Sequence, residues 1–535
     1  MKLFLKRANA LALSSCLLAL SLGVAGAPAS AQVTAFKQAV AESASVDDAI
    51  ATFYRQTGYA PLWTGEDDVH RARRAALFEA LETAGLQGLP AGRYPVDRLL
   101  AEMRDARTVR DLGLVEAMLS RAFVEYATDL RSGVLVPARV DGGLKREVDR
   151  PDAARLLAEF SKAEPIQYLR ALAPASMQYR ALLKEKMRLE GQIAQGGWGA
   201  RVPVEKLEPG NSGPAVVALR DRLIAMGFLP RSSVARYDDD LRRAVLSFQA
   251  ANGLETDGVA GPSTITAVNI GPEERLKSVL VALERERWLP RERGERHILV
   301  NQTDFSARIV DHGQVTFQTR AVIGKNTEDR RSPEFSDVME HMVINPSWYV
   351  PRSIVTKEYL PKLRRNPRAV GHLEITDSRG RRVSRNHNFS RYSARSFPFA
   401  MRQPPGKNNA LGLVKFMFPN QYNIYLHDTP QKHLFAHDVR AYSHGCIRLA
   451  EPFEFAYALL ARQEEDPKAF FHRVLDSGRE TRVNLEQPVP VHLIYRTAWI
   501  GERGQAEYRR DVYERDAKIW EALSAAGVTL PAVRM

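Results

Sequence analysis

Cysteine is nearly missing from this chain: Cys16 and Cys446 are the two in 535 residues. Cys16 falls in an opening segment that reads as a secretory leader. Met1-Lys2-Leu3-Phe4-Leu5-Lys6-Arg7 is a basic start, an apolar run follows from Ala8 to Ala25, and Ala29-Ser30-Ala31 is a small-residue cleavage site before Gln32. A membrane anchor is the competing reading of that run, but Gly23, Gly26 and Pro28 interrupt it. Most of the run follows Cys16, which argues against lipidation there. With residues 1–31 removed, Cys446 stands alone, and an intramolecular disulfide is excluded. A single exported thiol is either buried and inert or needed for chemistry. The count by itself favours burial, because free cysteine is among the most buried residue types. Acidic residues are also short, 63 against 76 Lys and Arg, for a net charge of +13. Loss of Lys2, Lys6 and Arg7 with the leader brings this to +10. Such a balance suits an acidic polymer or anionic lipid; export argues against nucleic acid, and solubility accounts for the excess equally well.

Residues 32–205 read as mainly helical. Leu119, Phe123, Tyr126 and Leu130 share one face at helical spacing, as do Leu77, Leu81 and Ala84. Phe53-Tyr54 and Pro61-Leu62-Trp63 read as a small aromatic core, and Gly196-Gly197-Trp198-Gly199 as a turn cluster. From 206 to 270 a compact unit has its own pattern. Val216, Leu219, Leu223 and Met226 predict one helix, Leu241, Val245 and Phe248 a second, and Ile265 and Val268 a short third after Gly261-Pro262. With Phe248-Gln249 and Asp257-Gly258, this unit closely resembles the three-helix peptidoglycan-binding domain. The resemblance implies glycan binding, or a spacer, since a fold does not by itself carry a function.

Beyond 297 the period becomes that of strands: Ile298–Val300, Ala307–Val310 and Val315–Thr319, the last two joined as a hairpin across Asp311-His312-Gly313-Gln314. Further strands are expected at Met342–Ile344, Leu411–Phe418, Ile424–His427 and Val491–Tyr495. Residues 361–408, rich in Arg, Ser, Pro and Asn, are too long for a connector and read as a lid or binding loop.

Two stretches carry chemistry: Tyr425-Leu426-His427-Asp428-Thr429-Pro430 and Ser443-His444-Gly445-Cys446-Ile447-Arg448. A thiol attacks carbonyls as thiolate, so an imidazole that takes its proton makes it a far better nucleophile. Gly445 lets the backbone bend so that amides can face a developing oxyanion. Two histidines beside the lone thiol turn the reading of Cys446 from burial to chemistry.

A histidine followed by Ser-His-Gly-Cys resembles the motif of the L,D-transpeptidase (YkuD-type) family. The surrounding chain is similar to its larger subgroup, with a helical scaffold, a peptidoglycan-binding domain and a capping insert. Ile344-Asn345-Pro346-Ser347-Trp348-Tyr349-Val350-Pro351 and Asn409-Ala410-Leu411-Gly412-Leu413-Val414-Lys415-Phe416 support it, and the match is most specific from Gly406 to Leu449. The resemblance implies Cys446 as nucleophile, His427 as general base steadied by the carbonyl of Asp428, and His444 lining the site. It implies an oxyanion hole from the amides of His444, Gly445 and Cys446, and Trp348 and Tyr425 as site-lining aromatics. Many relatives have asparagine where Arg448 stands here; a cation there would meet a stem-peptide carboxylate or form a structural salt bridge. The implied substrate is a tetrapeptide stem, whose carbonyl before the terminal D-alanine forms a thioester that the amine of a second stem opens in a 3-to-3 cross-link. Water as acceptor would make an L,D-carboxypeptidase.

The expected architecture is therefore multidomain: leader 1–31, helical scaffold 32–205, peptidoglycan-binding domain 206–270, β-rich catalytic domain 297–500 with its insert at 361–408, and a C-terminal extension 501–535. Expected partners are peptidoglycan stem peptides and glycan in the periplasm or cell envelope, with no nucleic acid and no membrane contact after the leader is lost. No cofactor or metal is implied, and the sequence carries no signal for an oligomeric state. Three rivals compete. A zinc hydrolase would use His427, His433, His437 and His444, but Leu434 stands where a metalloprotease helix needs glutamate. In papain-like wall hydrolases the cysteine precedes the histidine, the reverse of the order here. A non-catalytic wall-binding protein would have no use for a lone thiol beside His-Gly.

Overall fold

The computed structural model describes residues 35–531, so the expected leader lies outside the described residues. Helices from Ala35–Ala44 to Met177–Ala194 build the N-terminal region. Its longest, Val109–Ser132, starts on a capping box in which Thr108 and Asp111 satisfy each other's backbone amides. Leu119, Phe123, Tyr126 and Leu130 all point from it into the core. The aromatic segment closes on the same helix: Trp63 stacks on Phe160 at 5.2 Å. Glu116, wholly buried, accepts hydrogen bonds from the Tyr54 hydroxyl at 2.8 Å and the Thr64 amide at 2.9 Å.

Helices Pro214–Ala225, Asp239–Ala251 and Pro262–Val268 form the three-helix module. Gln249 explains why its sequence signatures travel together. The buried amide donates to the Asp257 carboxylate at 2.8 Å and accepts from the Gly258 amide at 3.0 Å, locking the Asp-Gly turn to the Phe-Gln helix. The module is not separately cored. Its Val216, Leu219 and Leu223 lie in one cluster with Tyr179 of the scaffold, Leu276 and Leu283 of helix Pro272–Trp288, and Ile519 and Leu523 of the C-terminal helix Arg515–Ala525. The C-terminal residues are thus a structural wall rather than an extension. Helix Pro272–Trp288 is buried along most of its length and carries several buried charges as pairs, including Arg287–Glu284 at 3.0 Å and Arg285–Asp516 at 3.0 Å, while buried Arg275 bonds Asn252 at 2.7 Å. Removing one partner of such a pair strands a buried charge, at a cost of about 3–5 kcal/mol.

The β-rich region begins with β1 (Arg296–Asn301), β2 (Ser306–Asp311), β3 (Gln314–Gly324) and β4 (Phe335–Ile344). Three short strands follow, β5 (Trp348–Tyr349), β6 (Glu374–Thr376) and β7 (Ala400–Gln403), and pair with one another as β5-β7-β6. The chain then re-enters the main sheet with β8 (Val414–Met417), β9 (Leu426–His427), β10 (Ala441–Ser443), β11 (Ile447–Leu449) and β12 (Thr481–Ile494). The main order is β10-β3-β11-β9-β8-β4-β12-β1-β2, and β2 also pairs with β3, so the sheet closes on itself. Its interior holds Ile298, Met342, Phe416, Leu426, Ile447 and Leu493, with Phe416 edge-on to Phe455 of helix Pro452–Leu460 at 4.8 Å.

The insert, read at 361–408 as a lid or binding loop and through the resemblance as a cap, lies within a larger folded unit. That unit is a folded cap whose core runs from Trp348 to Leu411 and includes Leu363, Ile375, Phe389 and Met401. Its apolar residues are spread singly among polar ones, so no periodic run marks them in the sequence.

Candidate active site

The catalytic turn is built by strand geometry. β10 runs parallel to the end of β3, with Ala441 beside Ile323, while β11 runs antiparallel to it, with Leu449 beside Ala321. The chain must therefore reverse within His444-Gly445-Cys446. Gly445 makes the reversal at φ +114°, where a side chain would be strained and its Cβ would meet Ile424 at 3.2 Å. Two serines pin the turn. Ser443 Oγ accepts from the Gly445 amide at 3.1 Å and donates to the Cys446 carbonyl at 2.5 Å, and Ser332 Oγ donates to the Gly445 carbonyl at 2.6 Å. The Gly445 amide is thereby engaged inside the turn, which removes one of the three donors expected for an oxyanion hole.

Cys446 is half-buried in a cavity of about 760 Å³, which Trp348, Tyr425, His427, His444 and Arg448 also line. Its thiol donates to the carbonyl of Asn423 at 3.5 Å, rather than to His427. Burial pushes the thiol up to about 11, against the pull of the Tyr425 amide and hydroxyl and the Arg448 cation. Tyr425 sits between the sulfur and Trp348, and its own phenol is raised by burial and by the neighbouring thiol. Trp348, on β5, joins Glu358, Tyr359 and His372 among the cap residues that line this cavity.

His427 is 4% exposed. Its Nδ1–H donates to the Asp428 carbonyl at 2.5 Å, an assignment that leaves Nε2 unprotonated in the neutral ring, and the Leu411 backbone also lies within hydrogen-bonding reach of the imidazole. Burial, then the Arg448 cation, hold the imidazole at about 3. The Asp428 carboxylate faces away from the ring: it accepts from the amides of Leu413 at 2.9 Å and Thr429 at 2.7 Å and pairs with Lys432 at 2.8 Å. Gly412, at φ +63°, lies so close that any Cβ there would meet this carboxylate at 2.2 Å. The Asp428 side chain thus anchors the loop behind His427, while its backbone carbonyl orients the imidazole.

Arg448 lines the cavity without a carboxylate partner: Nη1 donates to Gln431 at 2.6 Å, and the buried Nε has none. His444 turns to the cap, its Nε2–H donating to Glu358 at 2.6 Å. His433 and His437 sit exposed at a 3-10 turn, Lys432–Ala436, outside the cavity. Sequence reasoning missed Asn423, Ser332, Arg330 and Glu358, because no motif joins them to the thiol.

Comparisons with known families matched three parts of the chain. Residues 295–491 match the L,D-transpeptidase catalytic domain (YkuD), residues 212–268 the "Putative peptidoglycan binding domain", and residues 48–185 the scaffold domain. The chain therefore carries a YkuD L,D-transpeptidase catalytic domain behind an N-terminal scaffold and a peptidoglycan-binding domain. A curated relative from Haemophilus influenzae, named "Putative L,D-transpeptidase", is 31% identical over 224 residues, 42% of this chain and 45% of its own length. The chain thus matches less than half of that relative. Two solved structures were also found: an L,D-transpeptidase fragment from Xylanimonas cellulosilytica and a "Fused Zn-dependent amidase/peptidase/peptodoglycan-binding domain-containing protein" from Clostridium acetobutylicum. They are 16% and 11% identical, cover 54% of this chain each and 98% and 99% of their own, and have TM-scores of 0.17 and 0.16, too low to establish a common fold.

Proposed function

We propose that this chain is an exported L,D-transpeptidase of cell-wall biogenesis, acting in the periplasm or cell envelope through a thioester on Cys446. The observation that supports this most is the convergence in one cavity of Cys446, a neutral His427 with Nε2 unprotonated, and the unpaired cation of Arg448. With the thiol held up at about 11 and the imidazole down at about 3, the pair rests neutral. Proton transfer from Sγ to Nε2 therefore accompanies attack, rather than preceding it as a standing ion pair.

Sγ attacks the carbonyl carbon ahead of the terminal D-alanine of a tetrapeptide stem. The tetrahedral oxyanion collapses, the C–N bond breaks, and D-alanine leaves with the proton carried by His427. The side-chain amine of a second stem then attacks the thioester and loses its proton to His427, which returns it to the departing sulfur. The product is a 3-to-3 cross-link, and the free thiol is restored. Arg448 receives a stem carboxylate, and Trp348 and Tyr425 form the wall that keeps the thioester from stray water. The three-helix module holds glycan and raises its local concentration.

Mass spectrometry of stem peptides after incubation with the protein tests this. Cross-linked dimers should appear with the native chain and not with Cys446→Ser, and a carbapenem should add covalently at Cys446. A carbapenem adduct elsewhere, or normal cross-linking by Cys446→Ser, would overturn the mechanism. Trimmed tripeptide without dimers would mark water as the acceptor and the protein as an L,D-carboxypeptidase.

A further inference from the structure

One oxygen of Glu358 collects the polar groups of the cavity rim. Glu358 lies on the single π-turn of the cap, Val355–Tyr359. Its Oε1 accepts from Arg330 Nη2 at 2.7 Å and from His444 Nε2 at 2.6 Å. All three side chains line the cavity that holds Cys446. Arg330 belongs to the loop that braces the catalytic turn: its carbonyl lies 3.7 Å from the Cβ position of Gly445, and Ser332 bonds the Gly445 carbonyl. Beside it, Lys357 of the same π-turn pairs with Asp329 at 2.7 Å.

Two N–H donors from the catalytic body thus converge on a carboxylate that the cap supplies. Both pairs are about one-third exposed, where an ion pair adds little to folding and is displaced at little cost. Of the cavity's other cations, Lys357 pairs with Asp329, and Arg448, bonded to Gln431, has no carboxylate partner among the described residues. A guanidinium and an imidazole N–H meeting at one point, at the rim of a substrate cavity, form a receptor for a carboxylate.

We propose that Arg330 and His444 form a substrate carboxylate subsite, and that Glu358 occupies it as an internal stand-in until substrate arrives. This rests on the transpeptidase reading, which supplies a substrate bearing free carboxylates. Entry of the substrate carboxylate displaces Glu358 and frees the cap from the catalytic turn, so occupation of the subsite and opening of the π-turn contact are one event. Two carboxylates of a stem qualify, that of the diamino acid and the C-terminal one.

The test uses the full chain and three stems: unmodified, amidated at the diamino-acid carboxyl, and amidated at the C-terminus. KM and kcat for D-alanine release are measured for the native protein, Arg330→Gln and Glu358→Gln. Arg330→Gln should raise KM for the unmodified stem about tenfold or more and erase its advantage over one amidated stem, which identifies the carboxylate. Glu358→Gln should lower KM for the unmodified stem several-fold and leave the stem lacking that carboxylate unmoved. Arg330→Gln that keeps both preferences, or Glu358→Gln that weakens all three stems alike, as a structural latch would, overturns the proposal. Calorimetric binding of the same stems to the Cys446→Ser protein and to its two double variants reads the preferences without turnover. A failed reaction is thereby told apart from a failed subsite.

Discussion

Arg448 stands beside His427 across the parallel ladder of β9 and β11, as its registered partner. The same cation acts on both reacting groups. It holds the imidazole below its ordinary range, after burial has done most of that work, and it pulls the thiol down against burial. A stem carboxylate that neutralises Arg448 would therefore raise the basicity of His427 as the substrate seats. Arg448→Gln should move the His427 titration upward from about 3 without restoring it to 6.5, and move the thiol above about 11. Histidine NMR titration and the pH dependence of iodoacetamide alkylation read the two shifts. Unmoved titrations would show that the ladder contact carries no electrostatic coupling.

His427→Ala should slow acylation of Cys446 by about 10²- to 10⁴-fold, the usual size of a general acid–base contribution. Alkylation at strongly alkaline pH should stay near the native rate, since the thiolate then forms without a base. Normal acylation in the variant would transfer attention to His444.

Acid should destabilise the catalytic domain through two buried histidines. Burial holds His427 and His492 at about 3 in the folded chain, against 6.5 when free. Between pH 6.5 and about 3 the unfolded chain takes up protons that the folded chain refuses. Stability is therefore full above pH 6.5 and falls as pH drops through that window, by about 1.4 kcal/mol per pH unit for each histidine. His492, bonded to Ser336 at 2.8 Å and to the Arg293 carbonyl at 3.1 Å, lies away from the cavity and can be replaced without touching the base. The urea midpoint should fall less between about pH 7 and about pH 4.5 in His492→Gln than in the native protein. Equal falls would remove His492 from the account.

Excising residues 206–270 should lower the thermal midpoint and impair turnover on soluble stems as severely as on intact sacculi. Val216, Leu219 and Leu223 share their cluster with Tyr179, Leu276 and Ile519, so the cut exposes a core on three sides. Each fully buried side chain of this size contributes about 1.5–3 kcal/mol, and losing several exceeds the margin of a typical domain. An unchanged midpoint with loss confined to sacculi would make the module a detachable anchor.

The residues that meet in the cavity were legible because they are written contiguously. Ser443-His444-Gly445-Cys446 and Leu426-His427-Asp428 each lie within a few residues, and a lone thiol beside histidine needs no fold to be noticed. The three-helix module was legible for the same reason, its Gln249 and Asp257-Gly258 being close in the chain as well as in space. Strands β1 to β3 announced themselves by alternation and a short turn. The ends of β4 and β12 were expected at Met342–Ile344 and Val491–Tyr495, but their first parts were not, because polar positions there face outward without a regular period.

Tertiary structure alone decided the electrostatic surroundings of Cys446 and His427. Composition places histidine near 6.5, and only burial beneath the sheet with Arg448 alongside brings it to about 3. Tertiary structure also decided that the cap's core takes in Trp348 to Leu360 and Leu411 from outside 361–408, that module, scaffold and C-terminal helix share one core, and that Glu358 reaches His444 from 86 residues earlier in the chain. The division follows from the reach of the interactions. Motifs, caps and turns depend on neighbours in sequence, and sequence determined them; desolvation, charge coupling and shared cores depend on groups that become neighbours only when the chain has folded.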